Sequence, residues 1–313
     1  MENNTRMYWL QTITPLHVGA GKGVGFIDMP IMREKVTDWP LVPGSAAKGV
    51  LRDHFFQNGD SEQKRLIEIA FGKHFGKQVV DESSNSGSLI LTDAHIVCMP
   101  VRSLYGTFAY VTCPLVLERL RRDLDAAGYK DLPAANAPAR NEVLISKGSR
   151  IAGEGRVFFE DLDFRALEDE NAKKWAEKLA EILYPKELTK EAVWKTILAE
   201  RFAILSDDCF NFLSKTGTEV SAHVRIEDET KIVARGALWY EETLPAEAIL
   251  AGIVWCDRVF GAEKADKAEM DEKKKVTRSH ILDTYCKTGK LNLQIGGKAT
   301  VGKGRVKCLF TRS

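Results

Sequence analysis

The stretch Thr14-Pro-Leu-His-Val-Gly-Ala-Gly-Lys-Gly-Val-Gly25 follows directly on a strand-like run, Met7-Tyr-Trp-Leu-Gln-Thr-Ile-Thr14, rich in aromatic and β-branched residues and ended by Pro15. Glycine at every second position from Gly19 to Gly25 lets the backbone take positive φ and approach a ligand closely. A counterpart stands near the far end, Ile295-Gly-Gly-Lys-Ala-Thr-Val-Gly-Lys-Gly-Arg305, between two further strand-like runs. Successive exposed N–H groups in such loops make concave anion sites, and lysines within them add positive charge. Tight turns with solubilising cations are the other reading of either loop taken alone. Two such loops, together with a helix that opens at Pro43-Gly-Ser45 and carries Lys48, favour phosphate binding. If the terminal strands pair, Lys22, Lys48, Arg52, Lys298, Lys303 and Arg305 fall into one stripe.

Outward from these loops, helices and strands alternate. Ser45 is a suitable N-cap for a helix over residues 46–56, with Arg52 one turn beyond Lys48. Start and stop signals predict a helix from Ser61 to Lys73, a strand from Leu89 to Cys98, and a helix opened by Pro114 and closed by Gly128. Residues 166–202, rich in Ala, Glu, Lys and Leu, predict two helices broken at Tyr184-Pro185. Two β-prone runs, residues 216–226 and 232–240, flank the polar Glu227-Asp-Glu-Thr230 and predict a long hairpin. Residues 262–275 are strongly charged, which suits a solvated helix face or a loop. No internal repeat or low-complexity linker divides the chain.

Composition narrows the function. The 313 residues are 44% hydrophobic and 28% charged, an ordinary globular balance. With 45 Lys plus Arg against 44 Asp plus Glu, the net charge of +1 gives no global nucleic-acid signal, so a polyanion must be met by a local cluster. No apolar run approaches a membrane span, and Met1-Glu-Asn-Asn-Thr-Arg-Met-Tyr-Trp-Leu10 has neither the n-region nor the h-region of a signal peptide, so a cytoplasmic protein with no membrane partner is expected. Six scattered cysteines lack zinc spacing and are expected reduced and mostly buried; His95 and Cys98 lie in a strand-like run and suit core packing.

The C-terminal loop nearly forms a P-loop, yet Gly304 occupies the place of the Ser or Thr hydroxyl that would hold Mg²⁺, and only nine residues follow it. The N-terminal run lacks G-x-G-x-x-G spacing and the strand-loop-helix context of a dinucleotide site. Nucleotide hydrolysis and hydride transfer are both disfavoured.

Five motifs in order, Thr14 to Gly21, Gly25-Phe-Ile-Asp-Met-Pro-Ile31, Val42-Pro-Gly-Ser-Ala-Ala-Lys-Gly49 with Arg52, Leu205-Ser-Asp-Asp208 with Gly236-Ala-Leu-Trp-Tyr-Glu-Glu-Thr-Leu-Pro245, and Gly296 to Arg305, resemble the RAMP superfamily of CRISPR proteins. The set is most similar to the repeated backbone subunit of type III-B (Cmr) RNA-targeting complexes. The resemblance spans most of the chain, while residues 130–201 add little to it.

This resemblance implies an α+β fold: a single RAMP domain over 1–313 built on a modified ferredoxin-like, RRM-like sheet, with a helical insertion at about 114–203 and a thumb hairpin at about 214–240. It implies copies stacked head to tail along a CRISPR RNA, other subunits of the effector complex, and a complementary target RNA cut at regular intervals, with sequence read by base pairing. Asp28 matches the family's cleavage aspartate. It would hold a divalent metal ion, Mg²⁺ by expectation, or orient a 2′-OH; from the residues alone it is equally a turn or N-cap aspartate. His17 is a candidate general acid or base, or a capping and packing histidine. Ser45, Gly296, Gly297 and Arg225 on the hairpin join Lys22, Lys48, Arg52, Lys298, Lys303 and Arg305 as expected RNA-binding residues. A non-catalytic scaffold subunit and an endonuclease maturing CRISPR repeat RNA are the alternatives.

Overall fold

In the computed structural model the described residues are 4–21, 23, 25–72, 86–185, 191–260, 276–287 and 289–312. Lys22 and the charged segment 262–275 therefore lie outside them, as does the end of the helix expected to reach Lys73. The N-terminal part runs β1 (Thr5–Thr12), β2 (Leu41–Val42), α1 (Gly44–Asn58), α2 (Ser61–Arg65), α3 (Ile67–Phe71), β3 (Ile90–Leu91), β4 (Ala94–Arg102) and β5 (Phe108–Thr112). A middle part follows with α4 (Pro114–Ala126), β6 (Glu142–Ile145), β7 (Arg156–Phe159), β8 (Leu162–Glu168), α5 (Glu170–Leu183), α6 (Ala192–Arg201) and β9 (Phe202–Ile204). The chain then forms α7 (Asp207–Thr216), β10 (Glu219–Ile226), β11 (Val233–Thr243), β12 (Ile249–Trp255), α8 (Arg278–Tyr285), β13 (Gly289–Gln294) and β14 (Arg305–Thr311).

Twelve of these strands make one mixed sheet with the path β13-β14-β1-β12-β4-β5-β9-β6-β8-β7, while β2 and β3 pair to β4 and β12. The terminal strands do pair: β14 lies antiparallel beside β1, and β13 beside β14. β1 is buried on both faces because its side chains alternate. Tyr8 and Leu10 enter a core shared with α1, α3, α7 and α8, whereas Met7 and Trp9 enter a second core under α4, α5 and α6. All six cysteines are free and buried. Burial raises the thiols of Cys98, Cys113, Cys256, Cys286 and Cys308, Cys256 to about 11 and Cys286 to about 12, so they pack as apolar groups.

The α+β class is the expected one, with two corrections. Residues 114–203 are not a purely helical insertion: α4, α5 and α6 are there, but β6 to β9 extend the sheet through the parallel pair β5–β9. Short strands of three to seven residues in a helix-favouring composition carry little periodic signal. Secondly, Ser45 does not cap α1. The helix begins at Gly44, whose N–H donates to Asp93 Oδ1 at 2.8 Å, and Ser45 is exposed inside the first turn. The helix break at Tyr184-Pro185 falls after α5, whose start is capped by Asp169 accepting from the Ala172 N–H at 2.7 Å.

The predicted hairpin is β10–β11, a separate two-stranded sheet. Residues 214–216 belong to α7 instead, the pairing starts at Glu219↔Thr243, and a bulge lies between Val224 and Ile226. α7 leads straight into it, capped by Ser206, with Asp207 and Asp208 in its first turn and Lys215 in its last, as the helix dipole favours.

Candidate nucleic-acid interface

Three loops meet at the base of this hairpin. The N-terminal glycine loop is joined to the base where Leu16 and Leu244 exchange backbone hydrogen bonds of 2.8 and 2.9 Å. It then doubles back, with Ala20 N–H donating to the Pro30 carbonyl and Met32 N–H to that of Val18. The segment around Asp28 runs beside β11: Met29 N–H donates to Tyr240 O, and Glu242 N–H donates to Met29 O, each at 3.0 Å. Asp28 is exposed, and its Oδ2 accepts the Tyr240 N–H at 2.8 Å. The C-terminal glycine loop closes the group, since Gly297 and Gly304 N–H donate to the carbonyls of His17 and Pro15 at 2.9 and 2.8 Å. Gly296 holds φ +78°, and a Cβ there would stand 2.2 Å from the His17 carbonyl oxygen, so only glycine fits.

Strand alternation at the hairpin base turns two consecutive carboxylates to opposite faces. Glu241, 1% exposed, takes Lys303 Nζ at 2.6 Å and Lys298 Nζ at 3.4 Å. Burial pushes its carboxyl up, but the hydrogen bonds and charges of the two lysines outweigh that and hold it below its ordinary value. Glu242, 3% exposed, accepts from Ile31 N–H at 3.0 Å, Thr218 Oγ1 at 2.9 Å and Arg33 Nη2 at 2.5 Å. Its own carbonyl accepts from His17 Nδ1 at 2.8 Å. A carbonyl only accepts, so Nδ1 carries a proton and donates it here. The His17 ring is buried against Gly19.

The structure thus brings together His17, Asp28, Gly296, Gly297, Lys298, Lys303 and Arg305, the last exposed with its N–H on Thr14 Oγ1 at 3.0 Å. Arg225 is exposed farther along the hairpin. Ser45, Lys48 and Arg52 ride on α1, which packs against α3, β3 and β13. Lys48 spends a donor on the Leu89 carbonyl at 2.7 Å, and burial lowers its pKa. Sequence reasoning missed Glu241, Glu242 and Arg33. The signal available was an acidic pair inside the apolar run Leu238 to Leu244, where unpaired carboxylates are costly to bury.

Among the described residues no group of three or more His, Cys, Asp or Glu side chains is placed to hold a metal ion. Asp28 offers one further oxygen, Oδ1, which suits a hydrated ion only if water and ligand phosphate complete its shell. No helix among the described residues is long and apolar enough to cross a membrane.

The chain belongs to the RAMP superfamily, whose sequence pattern matches residues 9–307. It is 33% identical over 302 residues to the CRISPR system Cmr endoribonuclease Cmr4 of Pyrococcus furiosus, covering 95% of this chain and 92% of that protein. The crystal structure of oligomeric Cmr4 from Pyrococcus furiosus superposes with a TM-score of 0.70 at 27% identity, over 99% of this chain and 98% of the other. A cryo-EM structure of the type III-B Cmr-beta complex bound to cognate target RNA shares the fold at 17% identity, with a TM-score of 0.69 over 98% and 96% of the two chains.

Proposed function

We propose that this chain is a backbone subunit of a type III-B CRISPR effector complex, aligned with further copies and other subunits along a CRISPR RNA, and that it cleaves complementary target RNA at Asp28. One observation carries the reading: an exposed carboxylate is pinned by the Tyr240 N–H at the foot of the hairpin, beside two glycine loops bearing lysines. A carboxylate there repels RNA unless a proton or a cation lies between them. Its use as a general base resolves this. Asp28 Oδ1 takes the proton of a ribose 2′-OH, the 2′-oxygen bonds to the adjacent phosphorus, and the 5′-oxygen leaves with a proton from solvent. The products carry 2′,3′-cyclic phosphate and 5′-hydroxyl ends.

In place of that role, a divalent ion, Mg²⁺ by expectation, would be held by Asp28 Oδ1 with water and phosphate oxygens, and would neutralise charge developing on the phosphate. His17, buried with Nδ1 committed, holds the glycine loop against β11. Lys298, Lys303, Arg305 and the N–H group of Gly296 supply the backbone contacts, so binding is insensitive to sequence, while the Gly297 N–H is spent on the His17 carbonyl. Arg225 meets RNA along the hairpin, and Ser45, Lys48 and Arg52 along α1.

The test is incubation of the assembled complex with guide-complementary RNA and Mg²⁺, comparing wild type with Asp28→Asn. Evenly spaced cuts, lost in the variant while assembly and guide binding persist, are expected. Wild-type cutting by the variant would replace this reading with the scaffold, and 5′-phosphate ends would replace 2′-OH attack with activated water.

A further inference from the structure

Among the described residues Phe26 is the most exposed phenylalanine, at 73%. Single exposed apolar side chains are common on protein surfaces and need no explanation by themselves. This one differs in its neighbours. Its ring meets the Tyr240 ring edge-on, with centroids 6.2 Å apart and planes at 83°, and Tyr240 is the residue whose N–H pins Asp28. One residue of β11 therefore fixes both the carboxylate and the aromatic ring two positions before it. An edge-to-face contact of this kind orients a ring and leaves at least one of its faces open.

The other aromatic group at the hairpin base is already engaged. Trp239 stacks on His223, with centroids 5.7 Å apart and planes at 17°, and Lys298 Nζ stands 5.9 Å from the Trp239 ring. By alternation Trp239 and Tyr240 face opposite sides of the hairpin, the first with Glu241 and its lysines, the second with Asp28. On the Asp28 side the apolar surface continues up the hairpin through Leu238 and Val224, paired across the strands and both about half exposed. That side offers an aromatic ring held by Tyr240 beside apolar neighbours, a surface for a base rather than for a phosphate.

We propose that Phe26, oriented by Tyr240, is a stacking platform for an unpaired nucleobase adjoining the phosphate presented to Asp28. The proposal rests on the reading of Asp28 given above. Stacking every base through its π-face, Phe26 fixes the sugar-phosphate geometry at the cut without reading sequence. It is a positioning residue: it holds the nucleotide while Asp28 acts on the 2′-OH. A neighbouring copy of the chain covering Phe26 is the competing use of this ring.

The assembled complex separates them. Target RNA carrying 2-aminopurine at each position in turn across one cleavage site is bound by wild type, Phe26→Ala, Phe26→Leu and Phe26→Tyr. In wild type and Phe26→Tyr, fluorescence is quenched at one position beside the cut. Phe26→Ala and Phe26→Leu leave that position bright, and the cleavage rate at saturating target falls roughly 5- to 150-fold, with target affinity, set by guide pairing, nearly unchanged. Phe26→Leu retaining both the quench and the rate overturns the proposal, as does a quench lost with cleavage unchanged. Weakened assembly of Phe26→Ala with the quench intact would assign the ring to the neighbouring copy. Asp28→Asn in the same assay keeps the quench and loses cleavage; if it cleaves normally, the Asp28 reading fails while the quench still reports on Phe26.

Discussion

The two glycine loops each carry four glycines and lie together, yet their tightest positions differ. In the C-terminal loop, glycine is demanded by crowding: Gly296 and Gly304 leave no room for a Cβ, each of which would lie 2.2 Å from a carbonyl oxygen. In the N-terminal loop, Gly21 and Gly25 take positive φ with no atom within 4 Å of where a Cβ would stand. Its lysine-bearing partner is clamped by a buried carboxylate, whereas the N-terminal loop leads to an exposed one. Glycine content alone signals permissive backbone; the surroundings decide whether it serves assembly of the site or room for a ligand.

Substitutions can break that contrast, beginning where the largest effect is expected. Gly296→Ala should cost roughly 2–5 kcal/mol, combining left-handed strain with overlap on the His17 carbonyl, and denaturant titration of the purified chain measures it. A cost near that of Gly21→Ala would show that the two loops are equally free. Glu241→Gln should cost about 2 kcal/mol near neutral pH, because Lys298 and Lys303 lose their shared partner. The folded-state carboxyl lies below its ordinary value, so its contribution is present above the ordinary carboxylate range and fades as pH falls through the lowered folded value. Stability curves of wild type and variant should therefore converge in acid; a gap that widens there contradicts the pairing.

Gly21→Ala, with space but with φ +84°, should cost about 1 kcal/mol and leave assembly intact, as read by thermal unfolding and size-exclusion chromatography. The smallest expected effect is on RNA binding. Lys303→Ala should lessen the dependence of log affinity on log salt by about 0.7 for single-stranded RNA, uniformly across sequences. An unchanged slope would mean that Glu241 keeps Lys303 from phosphate throughout.

Much of this was legible in local sequence. β1, the hairpin and the helix break at Tyr184-Pro185 followed from aromatic, β-branched, proline and glycine placement. Other features depended on distant partners. Asp93, 49 residues from Gly44, takes the place assigned to Ser45 at the start of α1. Strands β6 to β9 exist because β5 offers an edge to pair with, which their own composition does not announce. In the site, the glycines and Asp28 could be singled out, but Glu242 finds Arg33 across 209 residues and Glu241 finds Lys303 across 62. The cations of the predicted stripe consequently looked unopposed when two of them are paired.

The alternation that sends Glu241 to one loop and Glu242 to the other makes the hairpin a parity device. Lengthening either strand near its base by two residues would restore each carboxylate to its own side, whereas one added residue would exchange them and present both to the wrong loop. The bulge between Val224 and Ile226 lies on the tip side of this point, where an odd residue is absorbed without reaching the base. Related chains should therefore vary freely in length toward the hairpin tip and only by even steps between the Glu241-Glu242 pair and the Leu16–Leu244 bridge at the base.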